Sequence, residues 1–213
     1  MFVKDFMTKD PIVVSLDASI PYTADLMKKH RLKRFPVMNK GKLVGLITEK
    51  DVAKSLPSPA TSLSRHEINY LTAKMTVSDA MTTDVVTTSP DTTVEEAIML
   101  MRQHDIGCLP VLENDELVGI ITESSVFDAL TKLFGFNRPG LRITVQVTDR
   151  IGVIADLTTI IKNLDLTVIS LVTFPTSEAT ASIIFRIATD KAKPVINELE
   201  AHGYQILHWT VLN

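Results

Sequence analysis

The stretch Leu43–Glu49, with the sequence LVGLITE, recurs 74 residues further along the chain as Leu117–Glu123, LVGIITE. Working outward from it, residues 3–56 align without a gap onto residues 77–130, and 20 of the 54 aligned positions are identical. An internal repeat of this kind indicates two copies of one structural unit. A unit of about 50 residues buries too little apolar surface to be stable alone, so we expect the two copies to pack together.

Each copy has the pattern of a β-α-β-β-α unit. In the first copy the predicted strands are Pro11–Val14, Phe35–Met38 and Leu43–Ile47, with a turn at Asn39–Gly41 between the last two. One helix starts at Asp17–Ser19 and a second begins near Thr48. The second copy repeats this order, with a strand at Val85–Thr88 and a helix start at Asp91–Thr93. There Thr93 and Glu96 have the spacing of a capping box, which fixes the start of that helix.

Composition and charge exclude several classes of protein. With 45% hydrophobic and 22% charged residues, the 213-residue chain has the composition of a folded domain. The net charge of −3 gives no general attraction to nucleic acid or membranes, and no apolar run is long enough to span a bilayer. The first residues, MFVKD, have no secretory pattern. The single cysteine, Cys108, excludes an intrachain disulfide and a cysteine metal cluster, so we expect a cytoplasmic protein without metal.

Two motifs give the repeat a specific resemblance. Each copy opens with Asp-x-Met-Thr, at Asp5–Thr8 and Asp79–Thr82, and the first copy also contains Gly45–Asp51, GLITEKD. Residues 1–134 thereby resemble a tandem pair of CBS domains, a Bateman module, with repeats at 1–56 and 77–134 and a linker at 57–76. The resemblance implies an α+β fold in which two β-α-β-β-α repeats form a pseudo-twofold module with up to two clefts for adenosine-type ligands.

The resemblance implies that Thr48 and Asp51 bind the ribose of such a ligand. A hydroxyl can donate or accept a hydrogen bond, and an ionised carboxylate can accept from both ribose hydroxyls. Both residue types also favour helix starts, so a purely capping role is the alternative. The second copy has Ser125 where the pattern has aspartate. We therefore expect one competent site, around Asp51, and one weak or empty site.

The family geometry also implies which residues complete the Asp51 site. The base is expected against a flat apolar slot with free backbone amides, and a phosphate against an arginine, whose guanidinium matches phosphate geometry. The residues at these positions are Val85, Val86, Ile106, Gly107 and Cys108 for the base, and Arg34 for the phosphate. Cys108 is expected as a wall of the pocket and not as a reactive thiol.

Two charged or polar segments leave alternatives open. Arg34 ends a basic run, Lys28–Arg34, that the second copy lacks. The run is interpreted either as a solvated helix end or as a phosphate-facing group, and nucleic-acid binding is not expected. The segment 57–76 begins with loop residues and includes a possible helix at Ser64–Lys74. We interpret it as a spacer, with a contribution to a dimer or ligand site as the alternative.

Residues 140–213 have a different pattern, β-α-β-β-α-β, which is that of a ferredoxin-like unit. The predicted elements are Leu141–Val147, a helix to about Leu164, Leu166–Phe174, Ala181–Ala188, Lys191–His202 closed by Gly203, and Tyr204–Val211. The turn at Asp149–Val153 reads DRIGV and resembles the ligand loop of ACT domains, although Ile151 stands in place of proline. The resemblance implies an amino-acid site at Asp149, Ile151, Gly152 and Val153, or a domain that only mediates pairing.

No enzyme motif stands out in the sequence, and two regulatory modules use nearly all of it. The arrangement resembles the acetoin-utilisation (AcuB-type) regulatory proteins of Firmicutes. It implies a non-catalytic sensor of an adenine nucleotide (AMP, ADP, ATP or a related adenosyl ligand) that acts on an unidentified partner protein. The alternative is an amino-acid-binding regulator with the CBS pair as oligomerisation scaffold. We expect a homodimer or higher even oligomer, since an exposed final strand is otherwise prone to unwanted pairing.

Overall fold

The computed structural model describes residues 1–55 and 74–212. The chain divides into two units, Met1–Phe127 and Asp128–Asn213, each with its own core. The linker predicted at 57–76 falls almost wholly outside the described residues, as does the helix predicted within it.

The first unit contains the two sequence repeats, except that the last helix of the second copy continues past Phe127. Both copies have the predicted helix, two strands and helix, but the second has an isolated bridge in place of its first strand. The first copy consists of a 3-10 helix (Val3–Asp5), β1 (Thr8–Lys9), β2 (Val14–Ser15), α1 (Ile20–His30), β3 (Arg34–Asn39), β4 (Lys42–Thr48) and α2 (Glu49–Ser55). The second consists of α3 (Val77–Ala80), α4 (Val94–His104), β5 (Cys108–Glu113), β6 (Glu116–Thr122) and α5 (Glu123–Leu133).

The sequence at the ends of α1 and α4 explains why both helices have the same length. Ser19 caps α1 by accepting a hydrogen bond from the Tyr22 amide. At α4 the predicted capping box is confirmed, because the Thr93 amide donates to Glu96 and the Glu96 amide donates to the Thr93 hydroxyl. Each helix ends at a residue in the left-handed region, which turns the chain into the next strand.

The strand predictions before these helices were wrong in extent. Pro11–Val14 was expected as a strand, but β2 is only Val14–Ser15, and Val85–Thr88 contributes a single bridge at Thr88. Proline has no amide proton for a strand ladder. In addition, Pro11 and Val85 line cavities of the unit, so these segments form walls where strands were expected.

The two copies exchange their opening segments. Thr8 in β1 pairs with Ile120 of β6, and the equivalent Thr82 pairs with Leu46 of β4. A Cβ on Gly45 would lie 2.5 Å from the Met81 sulfur and 2.9 Å from the Thr82 carbonyl oxygen. Glycine is therefore required for the other copy's Met-Thr segment to cross the strand closely. The exchange joins the repeats into one body, as a unit of this size requires.

The second unit is an antiparallel sheet with two helices and has the predicted β-α-β-β-α-β order. Its elements are β7 (Gly140–Thr148), α6 (Val153–Asn163), β8 (Val168–Pro175), β9 (Thr180–Ile187), α7 (Ala192–Ala201) and β10 (Gln205–Leu212). The strand order is β10-β7-β9-β8, so β10 and β8 are the edges. The core contains alternate residues of β7 and β9, among them Ile143 and Phe185, together with Leu157 of α6 and Leu199 of α7.

Candidate functional site

A cavity of about 400 Å³ lies between the two copies of the first unit. Its walls come from the start of β3, the end of β4 and the start of α2 in the first copy, and from the segments before α4 and β5 in the second. The structure brings together around this cavity all of the residues predicted for the nucleotide: Thr48, Asp51, Arg34, Val85, Val86, Ile106, Gly107 and Cys108.

The predicted ribose pair forms a capping box at the start of α2. Oδ2 of Asp51 accepts hydrogen bonds from the Thr48 amide at 2.9 Å and from the Thr48 hydroxyl at 2.6 Å. The Asp51 amide in turn donates to Oγ1 of Thr48 at 3.3 Å. The capping role considered from the sequence is therefore present in the fold.

Capping uses only one of the two carboxylate oxygens of Asp51. Within residues 1–55 and 74–212, Oδ1 accepts no hydrogen bond, and the side chain lies at the wall of the cavity. The cap fixes the orientation of the carboxylate, so Oδ1 is a preorganised acceptor of charge-assisted hydrogen bonds. Capping and ligand binding are thus compatible functions of one residue.

Arg34 reaches across from the first copy to the second. Its Nη1 atom lies 2.7 Å from the position that a Cβ on Gly107 would occupy, and Oε2 of Glu123 lies equally near that position. Gly107 is therefore needed to leave room for the guanidinium beside the cavity. Burial raises the pKa of the Cys108 thiol, while the neighbouring Arg34 opposes this shift. Cys108 is 3% exposed, which fits a pocket wall and a thiol that stays protonated at neutral pH.

Sequence reasoning missed the charged residues that flank these positions. The cavity is also lined by Lys33, Leu46, Glu49, Lys50, Thr82, Asp84 and Asp105. Leu46, Glu49, Lys50 and Thr82 lie within the two quoted motifs and Lys33 within the basic run, but no role in the site was predicted for any of them; Asp84 and Asp105 lie outside the motifs. The expectation of free amides for the base fails at Ile106, whose amide donates to the Met101 carbonyl at 2.9 Å.

A second cavity of about 520 Å³ has the equivalent place in the repeat. Thr122 and Ile120 occupy its wall as Thr48 and Leu46 do in the first cavity. It is more basic, because Arg31, Lys33 and Arg34 stand where the first cavity has Asp105, Gly107 and Cys108. Arg34 and Lys33 line both cavities.

Ser125 stands where the first copy has Asp51, next to Ser124 on the wall of this second cavity. Its single oxygen lies 3.3 Å from the Thr122 amide and 3.2 Å from the Thr122 hydroxyl. These contacts reproduce the capping box with longer hydrogen bonds, and Ser125 is only 9% exposed. Serine thus caps α5 with its only side-chain oxygen, whereas Asp51 has a second one to offer to a ligand.

The turn predicted for an amino acid precedes α6 in the second unit. Ile151 is fully exposed there, and Gly152 has φ 89°, which favours glycine. Asp149 is exposed as well. Val153 does not fit the prediction, because its side chain is 7% exposed in the core and its amide donates to the Arg150 carbonyl. The parts of the turn open to a ligand are therefore Asp149, Ile151 and the backbone of Gly152.

Two features are absent from residues 1–55 and 74–212. No helix in these ranges is long and apolar enough to cross a membrane. Nor do they contain a group of three or more His, Cys, Asp or Glu side chains arranged to hold a metal ion. The candidate site thus combines an apolar wall with four carboxylate side chains (Glu49, Asp51, Asp84 and Asp105) and three cationic ones (Lys33, Arg34 and Lys50).

The fold and the cavity define a tandem repeat module with a cleft walled by both copies. The family model for the CBS domain matches residues 3–58 and 77–132, and the chain therefore belongs to the CBS domain family. The match ends before the second unit's sheet begins.

Three solved structures resemble this module. A protein of Vibrio cholerae named as an acetoin utilization protein (AcuB) is 27% identical, with a TM-score of 0.54, and the match covers 64% of this chain and 95% of that one. The CBS domain pair of protein MJ0100, in complex with 5′-methylthioadenosine and S-adenosyl-L-methionine, is 29% identical with a TM-score of 0.50 and coverages of 65% and 98%. CBSX2 in complex with AMP is 27% identical with a TM-score of 0.52 and coverages of 62% and 97%.

Proposed function

We propose that this protein is a non-catalytic regulator that binds one adenine nucleotide per chain in the cavity around Asp51. AMP, ADP, ATP and related adenosyl compounds form the ligand class. One observation carries the proposal: Asp51 lines a cavity between the repeats and keeps one carboxylate oxygen outside its capping box. That oxygen is placed to accept hydrogen bonds from ribose hydroxyls.

The rest of the cavity supplies the other parts of a nucleotide site. Val85, Val86 and Ile106 give an apolar wall for the base, and Gly107 lets Arg34 approach. Arg34, Lys33 and Lys50 supply positive charge for phosphate. The solved relatives with AMP or with S-adenosyl-L-methionine support the adenosyl class. These cations support a ligand that carries phosphate on the Arg34 side, while Glu49, Asp84 and Asp105 line other parts of the same cavity.

A regulatory and not a catalytic role fits the chemistry of the cavity. Burial raises the pKa of the Cys108 thiol, which makes it a poor nucleophile at neutral pH. The Thr48 hydroxyl donates to Asp51, so both are held in the cap. The likeness to the Vibrio cholerae structure supports a role in acetoin or carbon metabolism.

In this proposal the second unit is an ACT-like domain that passes the signal to partner chains. Its element order and the glycine turn at Gly152 support the assignment. β10 is a sheet edge with Leu207 and Trp209 about half exposed, which supports pairing into a homodimer or higher even oligomer. An amino acid at the turn with exposed Ile151 is the second candidate function.

Calorimetric titration of the full chain tests the proposal. We expect saturable binding of AMP, ADP or ATP at about one per chain, unaffected by a mixture of the twenty amino acids. Extraction of small molecules from denatured, freshly purified protein identifies the nucleotide that co-purifies. Binding of an amino acid with no response to any adenosyl compound would favour the second candidate function and reject the first.

Replacement of Ser125 by aspartate is expected to create a second nucleotide site. The carboxylate can cap Thr122 with one oxygen and offer the other to a ligand, as Asp51 does. Titration of Ser125→Asp with AMP should then give about two sites per chain. The control is Ser124→Asp, which puts the same charge on the wall of the same cavity outside the capping position. Unchanged stoichiometry in Ser125→Asp would contradict this account of the asymmetry.

A further inference from the structure

The sheet of the second unit carries positive charge and no carboxylate. Its four strands contain no Asp, Glu or Lys, and their charged residues are Arg142 in β7 and Arg186 in β9. Arg142 lies between the core residues Leu141 and Ile143, and Arg186 lies between Phe185 and Ile187. Because side chains alternate along a strand, both arginines lie on the face opposite the helices.

The two arginines are direct cross-strand partners. Arg142 pairs with Arg186 in the β7–β9 register. Like charges placed opposite each other in this way destabilise a sheet. The next positions along the same row are Thr210 in β10 and Ser170 in β8, which carry no charge to compensate. The row therefore concentrates two positive charges at one place on the sheet.

Arg186 makes this arrangement costly, because it is only 9% exposed. Its guanidinium lies 5.3 Å from the centre of the Phe136 ring, which holds it by a cation–π contact. Burial, and then the charge of Arg142, lower the pKa of Arg186. In the part of the chain that the structure describes, neither arginine forms an ion pair with a carboxylate. Nearly buried charges are ordinarily paired.

Arg142, the cross-strand partner of Arg186, is held in place by polar side chains. Its Nη1 atom donates to the Thr144 hydroxyl at 3.0 Å and lies 3.4 Å from Nδ1 of His208. Thr144 is itself buried. Both guanidinium groups are therefore fixed before any ligand arrives, one by an aromatic ring and the other by a hydroxyl.

We propose that Arg142 and Arg186 form a binding site for a small oxyanion, with a carboxylate or a phosphate group as its recognised chemistry. An oxyanion between the pair accepts charge-assisted hydrogen bonds from two planar groups and removes their mutual repulsion. The four strands of this sheet offer no carboxylate for this purpose. The site lies in the second unit and does not depend on the proposed nucleotide cavity.

Titration of the full chain with sodium malonate or inorganic phosphate, followed by NMR of the arginine Nε–H groups, tests the site. Sodium chloride keeps the ionic strength constant, and Arg142→Gln and Arg186→Lys assign the two signals. We expect both signals to move together and to saturate at one midpoint. Malonate alone would identify a carboxylate ligand and phosphate alone a phosphate ligand. Movement that does not saturate, or that chloride reproduces, would overturn the proposal.

Two variants distinguish recognition by the planar guanidinium from attraction by positive charge alone. Arg186→Lys keeps the charge but loses the planar fork, so we expect affinity for the probe anion to fall at least about tenfold. Arg102→Gln, on an exposed position of α4 in the first unit, serves as control and should bind as wild type. Equal affinity in Arg186→Lys and wild type would show that no oxyanion site exists there.

Thermal unfolding gives an independent measurement that does not require the Arg186 variant to fold. Arg142→Gln removes the like-charge pair, so without the probe anion it should unfold at a temperature equal to or above that of wild type. Saturating malonate or phosphate should raise the unfolding temperature of wild type and leave that of Arg142→Gln unchanged. An equal rise in both proteins would contradict the site.

Discussion

Replacement of Asp51 by alanine is expected to abolish most adenine-nucleotide binding by this protein. The variant loses Oδ1 of a carboxylate that lines the cavity, an oxygen that accepts no hydrogen bond from the described residues and is oriented by the helix cap. Each hydrogen bond to a charged group contributes about 1.5–3 kcal/mol, so loss of a single one weakens binding about tenfold to 150-fold. Two ribose hydroxyls on one carboxylate make the expected loss larger still. Calorimetric titration of wild type and Asp51→Ala with AMP measures it.

A matched control separates this effect from loss of the helix cap. Asp79 has the same position in the capping box of α3, where Oδ2 accepts from the Thr76 amide at 2.8 Å and from the Thr76 hydroxyl at 3.0 Å. It lines neither cavity of the repeat. Asp79→Ala should therefore lose a comparable cap and bind AMP as wild type does. Equal affinities in wild type and Asp51→Ala would reject the site.

Replacement of Arg34 by alanine is expected to weaken phosphate-bearing ligands and leave adenosine nearly unaffected. The guanidinium lies at the wall of the cavity, beside Gly107 and Cys108. Loss of its hydrogen bonds to phosphate should cost about 1.5–3 kcal/mol for AMP or ATP. Added salt should reduce the difference in affinity between AMP and adenosine for the wild-type protein, because salt screens a partly exposed charge pair. Titration of both ligands against both proteins measures the selectivity.

Lys29 provides the control for the basic run. It lies near the end of α1, is exposed, and lines neither cavity. Lys29→Ala changes the net charge as Arg34→Ala does and should retain the preference for AMP. Equal losses of AMP and adenosine in Arg34→Ala would make Arg34 a structural residue. If Arg34→Ala loses affinity for neither ligand, the basic run Lys28–Arg34 is a solvated helix end.

The fold of the first unit could be predicted because the repeat is visible without a gap. The spacing of Thr93 and Glu96 fixed a helix start that the structure reproduces. The repeat did not show that the β-prone segments 11–14 and 85–88 form little or no strand. Their β-prone residues line cavities, and only contacts between the copies determine this.

The candidate site depended on more than local pattern. Asp51 and Val85 lie far apart in the chain, and periodicity alone does not bring them to one cavity; the family resemblance supplied that pairing. It did not indicate Asp84 or Lys50, which are brought to the wall by the exchanged segment and by the first turn of α2. The role of Val153 was misjudged because the turn motif does not show which of its side chains the core absorbs.

One arginine between two cavities has a thermodynamic consequence. Arg34 lines both, while the equivalent position in the second repeat is Cys108, so the pair of clefts has one guanidinium at this place. A phosphate bound on one side competes for the hydrogen-bond donors that a phosphate on the other side needs. Where both clefts are competent, as expected in Ser125→Asp, binding at the two clefts is then antagonistic, and by linkage each ligand weakens the other by the same factor. That variant should therefore bind its second phosphate-bearing ligand more weakly than its first.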